Sequence, residues 1–192
     1  MTGIKGFAKR IRRYASRPEV ESIARRYFIL GAFDGALTIL GVILGAAASG
    51  NLDARLVMSA GIGGGIALSI SSTVGAYEAE RIEAKANGKE TGRRSMSMWQ
   101  NGYQKGQRIK ALIPAIVHGV APLIAAIVPI IPFLLFDLKI AAIASITITL
   151  SFLFLMGLYL GSVAKERMIF TGIRFVLIGI VTSVIIVFLF GG

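Results

Sequence analysis

Five long runs of apolar residues constrain this chain more than any other feature. Each run is long enough to cross roughly 30 Å of hydrocarbon as an α-helix, at about 1.5 Å per residue. The 192 residues are 55% hydrophobic with a mean hydropathy of +0.73, and a soluble domain of this size has no use for several such runs. We therefore predict an all-α integral membrane protein with five transmembrane helices. We place these helices at Tyr27–Ser49, Leu56–Tyr77, Ala111–Phe136, Ile140–Ala164 and Phe175–Phe190.

The basic residues predict how the helices are oriented. Eight Lys and Arg residues precede the first span, eight lie between spans two and three, and three lie between spans four and five. The opposite side of the membrane has only Arg55 and Lys139. Because cytoplasmic flanks collect Lys and Arg, we expect a cytoplasmic N-terminus and a C-terminus outside. The same rule accounts for the net charge of +11 without nucleic acid as a partner.

The sequence divides into a basic N-terminal segment, residues 1–26, and a five-helix transmembrane domain, residues 27–192. Within the first segment, one helical stripe is apolar: Ile4, Phe7, Ala8 and Ile11. This pattern is typical of a basic helix in the inner interface, although a solvated basic tail would satisfy the charge rule equally. Pro18 predicts the start of a helix that could run directly into the first span. Residues 78–110 form a cytoplasmic connection.

Asp34 is an acidic residue inside the first apolar run. An ionised carboxylate in hydrocarbon is costly unless it is paired, hydrated or protonated, so an intramembrane Asp indicates an ion or proton pathway. At helical spacing, one face of the span carries Asp34, Thr38 and four glycines: Gly31, Gly35, Gly41 and Gly45. The glycines form two small-xxx-small pairs, which favour close helix packing. We therefore expect the carboxylate to face a packed interior or a wet cavity and not lipid.

Hydroxyl groups of the second span are expected at the depth of Asp34: Ser69, Ser71, Ser72 and Thr73. A carboxylate and several hydroxyls at one level could form a small oxygen-lined site for a hard cation. One carboxylate is too few, since divalent metals bind about four to six ligands. A two-fold homodimer centred on the first spans would supply a second Asp34, and the two carboxylates would release protons when a metal arrives. A protonated Asp34 that merely hydrogen-bonds a neighbouring helix is the alternative.

Several segments resemble those of a known family. Gly31–Thr38, Gly-Ala-Phe-Asp-Gly-Ala-Leu-Thr, resembles the first-span signature of the vacuolar iron transporter family. Ser71–Tyr77 is similar to the end of that family's second span, and Pro129–Phe133 and Gly172–Arg174 are similar to motifs of the third and fifth. The resemblance implies a homodimer that moves ferrous iron, and sometimes manganese, out of the cytoplasm in exchange for protons. It also implies that Asp34 is the translocation carboxylate at the dimer axis.

Two departures from the family pattern matter. The family commonly has Met in the second span where this chain has Ser72, so a softer metal ligand is missing and the identity of the metal stays open. Full-length members carry a glutamate-rich metal-binding domain between spans two and three, and residues 78–110 are too few for it. The resemblance is therefore to a short member that lacks the cytoplasmic capture domain.

Further candidates lie outside the first span. Glu80 and Glu83 are one turn apart and could share a cation, or they could pair with neighbouring Lys and Arg residues on a solvated helix. His118 could relay protons, or it could be a neutral imidazole that bonds a carbonyl freed by a proline. Met96–Trp99 is interpreted as an interfacial anchor because Trp prefers the headgroup level, with its Met residues as weaker candidates for metal ligands.

No enzyme signature is found. The absence of cysteine removes disulfides, thiolate metal sites and thiol catalysis, and there is no phosphate loop, Ser-His-Asp set or metal motif of fixed spacing. The leading interpretation is a secondary transporter of divalent cations, with Fe²⁺ or Mn²⁺ as substrate and no permanently bound cofactor. In a prokaryotic cell it would lie in the plasma membrane. The alternative is a non-transporting scaffold that binds lipid or protein partners through its glycine faces and basic loops.

Overall fold

The computed structural model describes residues 14–90 and 97–191, and within these residues it contains helices and no strand. The five long helices are Pro18–Ala48, Ala54–Glu90, Ser97–Ile127, Leu138–Ala164 and Met168–Phe190. All five contain a segment long and apolar enough to cross a membrane. The prediction of an all-α protein with five transmembrane helices is therefore confirmed. The predicted stripe at Ile4–Ile11 and Met96 lie outside the described residues, as do the side chains of Met98 and Trp99.

Several helices extend beyond the apolar runs that predict them, and the third begins at Ser97, well before the predicted Ala111. The first begins at Pro18, as predicted, because a proline at the first position loses no helical hydrogen bond and two acidic residues favour the helix N-terminus. The second continues past the predicted Tyr77 to Glu90. The fifth begins at Met168, about two turns before the predicted Phe175. Hydropathy detects the membrane-crossing part of a helix, whereas polar residues with good helix propensity continue it into water.

The third span lies between the first and the second and contacts both at backbone distance. Pro122 has no N–H, so the carbonyl of His118 loses its helical donor. That carbonyl lies against the first span, where a Cβ on Gly31 would be 2.6 Å from its oxygen. On the other side, Gly119 lies against the second span. A Cβ on Gly119 would be 2.7 Å from the carbonyl oxygen of Ser69 and would overlap the Thr73 side chain. Glycine thus permits both approaches.

The third span is also irregular at its far end, as its prolines predict. The α-helix ends at Ile127. It is followed by a 3₁₀ turn, Val128–Ile130, and a short helix, Pro132–Leu135. The carbonyl of Pro129 accepts a hydrogen bond from the buried hydroxyl of Ser145 in the fourth span. A neighbouring helix therefore satisfies a polar group at the irregular end of the span.

The fourth and fifth spans form a closely packed hairpin. A Cβ on Gly157 would lie 2.6 Å from the Cα of Gly172, and one on Gly161 would lie 2.7 Å from the Cα of Met168. The hairpin packs against the end of the third span and against the first span, where the rings of Phe33 and Phe175 meet edge to face with centroids 5.1 Å apart. The main apolar core contains residues from the first four spans: Ile39, Ile43, Val57, Ala126, Ile130, Phe133, Ala141 and Ala142.

Candidate ion pathway along the first and second spans

Asp34 lies on the exposed surface of the single chain. Leu30, one turn earlier, is 48% exposed, whereas Gly31 and Gly35 are buried. Successive helical residues are about 100° apart, so the carboxylate points away from the third span while the glycines point towards it. The structure therefore corrects the prediction that Asp34 shares the glycine face, and it rules out a packed interior within the single chain; the alternative of a wet cavity stays a prediction.

The four glycines of the first span pack within the chain. A Cβ on Gly35 would lie 2.6 Å from the Cα of Pro122, so this contact leaves no room for a methyl group. Gly41 and Gly45 instead face Ile186 of the fifth span at ordinary distances of 3.6 and 4.0 Å. The Gly31/Gly35 pair thus packs against the third span and the Gly41/Gly45 pair against the fifth, both in the same chain.

The hydroxyls of the second span lie near the level of Asp34. Thr38 is beside Gly64, whose Cβ position is 3.8 Å from the Thr38 methyl group. The two spans are antiparallel. Asp34 lies four residues before Thr38, so it is level with position 68, which lies four residues after Gly64 and is adjacent to Ser69. Ser72 lies about one turn closer to the cytoplasmic end. Both serines are half-buried.

Thr38 contacts the backbone and not the carboxylate of Asp34. Its hydroxyl donates a hydrogen bond of 2.7 Å to the Asp34 carbonyl one turn earlier, which leaves the hydroxyl oxygen free to accept or to coordinate. Within residues 14–90 and 97–191, no hydrogen bond or ion pair involves the Asp34 carboxylate. A polar side chain thus lies at an exposed position of a membrane-crossing helix without a partner among the described residues.

Glu80 and Glu83 line one cavity at the predicted cytoplasmic end of the first three spans. The cavity has a volume of about 220 Å³ and is also lined by Glu19 and Lys110. The Lys110 Nζ lies 3.7 Å from a carboxylate oxygen of Glu19. The sequence indicated Glu80 and Glu83 as candidates, but it gave no sign that Glu19, in the first turn of the first helix, lines the same cavity.

Tyr27 connects two predicted site residues and was not itself predicted. Its hydroxyl lies close to the Glu80 carboxylate, and its ring lies 5.0 Å from that of His118, centroid to centroid. The Nδ1 of His118 is 3.0 Å from the carbonyl oxygen of Tyr27. Since a carbonyl only accepts, Nδ1–H is the donor of this hydrogen bond. The carbonyl belongs to the first span and is not one freed by a proline.

Within the described residues, no group of three or more His, Asp or Glu side chains is close enough to hold a metal ion. Within residues 14–90 and 97–191, the candidate ligands therefore lie apart, with Asp34 inside the first span and the glutamates at the end of the second. The hydroxyl groups nearest in level to Asp34 are those of Thr38 on the first span and of Ser69, Ser71 and Ser72 on the second.

Comparison with known proteins identifies the family. The model of the VIT family matches residues 25–113 and 94–191. This chain belongs to the VIT family. A protein of Methanocaldococcus jannaschii described only as uncharacterized is 36% identical to it over 157 residues, which cover 79% of this chain and 80% of the relative.

The resemblance seen in the sequence is thereby confirmed. VIT-family proteins are metal-ion transporters and not enzymes, and this chain is an integral, multi-pass membrane protein. The VIT match from 25 to 113 includes Asp34, the serines of the second span and both glutamates at its end. The match from 94 to 191 includes His118 and the hairpin of the fourth and fifth spans.

Proposed function

We propose that this VIT-family chain exchanges a divalent metal cation for protons and moves the cation out of the cytoplasm along the Asp34 face. Two copies of the chain form the path, so that two Asp34 carboxylates face each other near the dimer axis. Fe²⁺ and Mn²⁺ are the proposed substrates. Carboxylate and hydroxyl oxygens favour hard cations, so a site with Ser72 where the family commonly has Met suits Mn²⁺ better than Fe²⁺.

The exposure of Asp34 is the observation that carries this proposal. A carboxylate at an exposed, unpaired position in a membrane-crossing helix costs about 3 kcal/mol when it faces hydrocarbon. Docking a second copy over Asp34 would replace lipid by the hydroxyls and the carboxylate of the partner. Without metal, the two carboxylates would share protons; a bound cation would displace those protons and stabilise both charged forms.

The surface of the second span supports such docking. Its exposed residues include a series of small side chains at four-residue spacing: Gly63, Ala67, Ser71 and Gly75. A Cβ on Gly63 or Gly75 would meet no atom within 4 Å in the single chain. Small residues at this spacing allow helix backbones to approach closely in lipid. The fifth span differs, since its exposed surface is made of large apolar side chains.

The remaining polar residues fit an access route and a proton route. Glu80 and Glu83 line the cavity at the predicted cytoplasmic end, where negative charge would raise the local concentration of cations. Tyr27 links Glu80 to His118, and the Nε2 of a neutral His118 ring could accept a proton released deeper in the span.

Transport into liposomes tests the mechanism. Purified chain would be reconstituted with a ferrous-sensitive dye and, in parallel, a pH-sensitive dye inside the vesicles. Asp34→Asn should lower metal flux about tenfold or more, since it removes the only charge within the span. Asp137→Asn is the matched control, because Asp137 is exposed in the turn before the fourth span. Asp34→Asn flux equal to wild type would refute the pathway, and metal flux without opposite proton movement would refute exchange.

Cysteine crosslinking tests the dimer. The chain has no cysteine, so Ser71→Cys introduces a unique thiol on the small-residue surface. We expect crosslinked dimers in membranes from Ser71→Cys and none from Val184→Cys, an exposed position of the fifth span. Efficient crosslinking at Val184 alone would place any dimer contact elsewhere and remove the shared Asp34 site.

A further inference from the structure

The turn between the fourth and fifth spans encloses a basic cavity that the transport mechanism does not use. The cavity has a volume of about 440 Å³ and is lined by six residues: Lys165, Glu166, Arg167, Phe170, Thr171 and Arg174. Three of the six are cationic and one is anionic. The cavity adjoins Met168, where the fifth membrane-crossing helix begins, so it opens at the predicted cytoplasmic boundary of the membrane.

The charges of this cavity are only partly paired. The Glu166 carboxylate is engaged by Arg174, at 3.9 Å, and by the Thr171 hydroxyl, which donates to it at 3.4 Å. Lys165 and Arg167 form no ion pair within the described part of the chain. The Arg167 guanidinium lies 5.7 Å from the centroid of the Phe170 ring. Two cations therefore remain available to an anion.

The backbone conformation of Lys165 adds a separate observation. Lys165 has φ 55° and ψ 31°, the left-handed conformation. The N–H of Glu166 donates to the Gly161 carbonyl and that of Lys165 to the Ser162 carbonyl, which is the helix-ending motif that glycine normally completes. A lysine at this position adopts an unfavourable conformation and places a cationic side chain at the cavity.

Apolar surface beside the cavity distinguishes a lipid from a free anion. Ile169 is 64% exposed, Phe170 57% and Ile173 45%, and all three lie in the first two turns of the fifth span. An anionic phospholipid offers a phosphate for the cations and acyl chains for this surface, whereas inorganic phosphate would use the cations alone. Basic pockets between helices on the cytoplasmic side suit anionic headgroups.

We propose that this cavity binds the phosphate group of an anionic phospholipid, with Lys165 and Arg167 contacting the phosphate and the acyl chains lying along Ile169, Phe170 and Ile173. The bound lipid joins the ends of the fourth and fifth spans at the membrane surface. The site is independent of the Asp34 path, so lipid retention and metal flux can succeed or fail separately.

Native mass spectrometry of the full chain in detergent tests this proposal with phosphatidylglycerol and phosphatidylcholine as probes. Lys165→Gln/Arg167→Gln should retain phosphatidylglycerol about tenfold more weakly than wild type. Lys85→Gln/Arg108→Gln is the matched control, since it removes two exposed charges from the same predicted side and should retain the lipid like wild type. Equal loss in both double variants would overturn the proposal, as would equal retention of phosphatidylcholine by wild type.

Two further measurements distinguish a lipid site from a free-anion site and a lost contact from a lost fold. Displacement of phosphatidylglycerol by an excess of inorganic phosphate would show a free-anion site and overturn the assignment to lipid. Lys165→Gly keeps the left-handed turn while removing the charge, so it should fold at least as well as wild type and still lose retention. Undiminished retention in Lys165→Gly would contradict the role of Lys165 even if the double variant fails to fold.

Discussion

The contact between the first and third spans should not tolerate a methyl group at Gly35. A Cβ there would lie 2.6 Å from the Cα and 2.8 Å from the carbonyl carbon of Pro122. These are backbone atoms and cannot rotate away. The carbonyl oxygen of Pro122 would be closer still, so the helices would have to separate by more than the difference between 2.6 Å and the 3.4 Å at which ordinary contact begins, about 0.8 Å.

The expected cost of Gly35→Ala follows from that separation. Overpacking a tight contact costs about 1–3 kcal/mol, and we expect the upper end, about 3 kcal/mol, because the shift also disturbs the adjacent contact of Gly31 with His118. Gly41→Ala is the matched control in the same helix, since its Cβ would meet only the Ile186 side chain at 3.6 Å. That substitution should be neutral or stabilising by up to about 1 kcal/mol.

Unfolding in mixed micelles measures the difference. Each variant would be titrated with a denaturing detergent and its helix content followed by circular dichroism, so that the free energy of unfolding is compared between Gly35→Ala and Gly41→Ala. Values within about 0.5 kcal/mol of each other, the usual effect of an unconstrained substitution, would refute the claim that the first and third spans meet at backbone distance.

Three other changes test other parts of the molecule. Lys165→Gly should raise the free energy of unfolding by about 1 kcal/mol in lipid-free micelles, because glycine adopts the left-handed conformation without steric cost; a decrease would contradict this. Ser145→Ala should cost about 1 kcal/mol or more, since it removes a buried hydrogen bond to the carbonyl of Pro129, and a thermal midpoint equal to wild type would count against that bond. Asp34→Asn should raise the thermal midpoint of the metal-free protein while abolishing stabilisation by added Mn²⁺, as expected when a costly charge serves function; Mn²⁺ stabilisation equal to wild type would exclude Asp34 as a ligand.

Much of the fold could be predicted because apolar length alone specifies a membrane-crossing helix. Helix ends could not, since the continuation of the second helix to Glu90 depends on propensity in water and not on hydropathy. The start of the fifth was placed too late because Arg174 interrupts the apolar run. A long basic side chain at a membrane boundary can extend to the headgroups without ending the helix.

Most residues of the candidate site were proposed from the sequence, but their arrangement in space was not. Small-residue spacing indicates that some helix packs there, but it does not say whether that helix belongs to the same chain. Gly31 and Gly35 pack on the third span of their own chain, where Pro122 provides the matching surface, and Asp34 is left exposed. The Tyr27 contact with Glu80 depends on the register of two antiparallel spans, which no local pattern encodes.

The contact of Gly35 with Pro122 also limits how this sequence can change over time. Any nucleotide change that alters a glycine codon without truncating the chain adds a side chain, and here each one would meet the backbone of the third span. A change at Pro122 would restore an amide hydrogen and shift the carbonyl that now rests on Gly31. A substitution at either position alone would therefore disrupt the contact. We expect related sequences to keep Gly35 and Pro122 together while residues on the exposed fifth span vary.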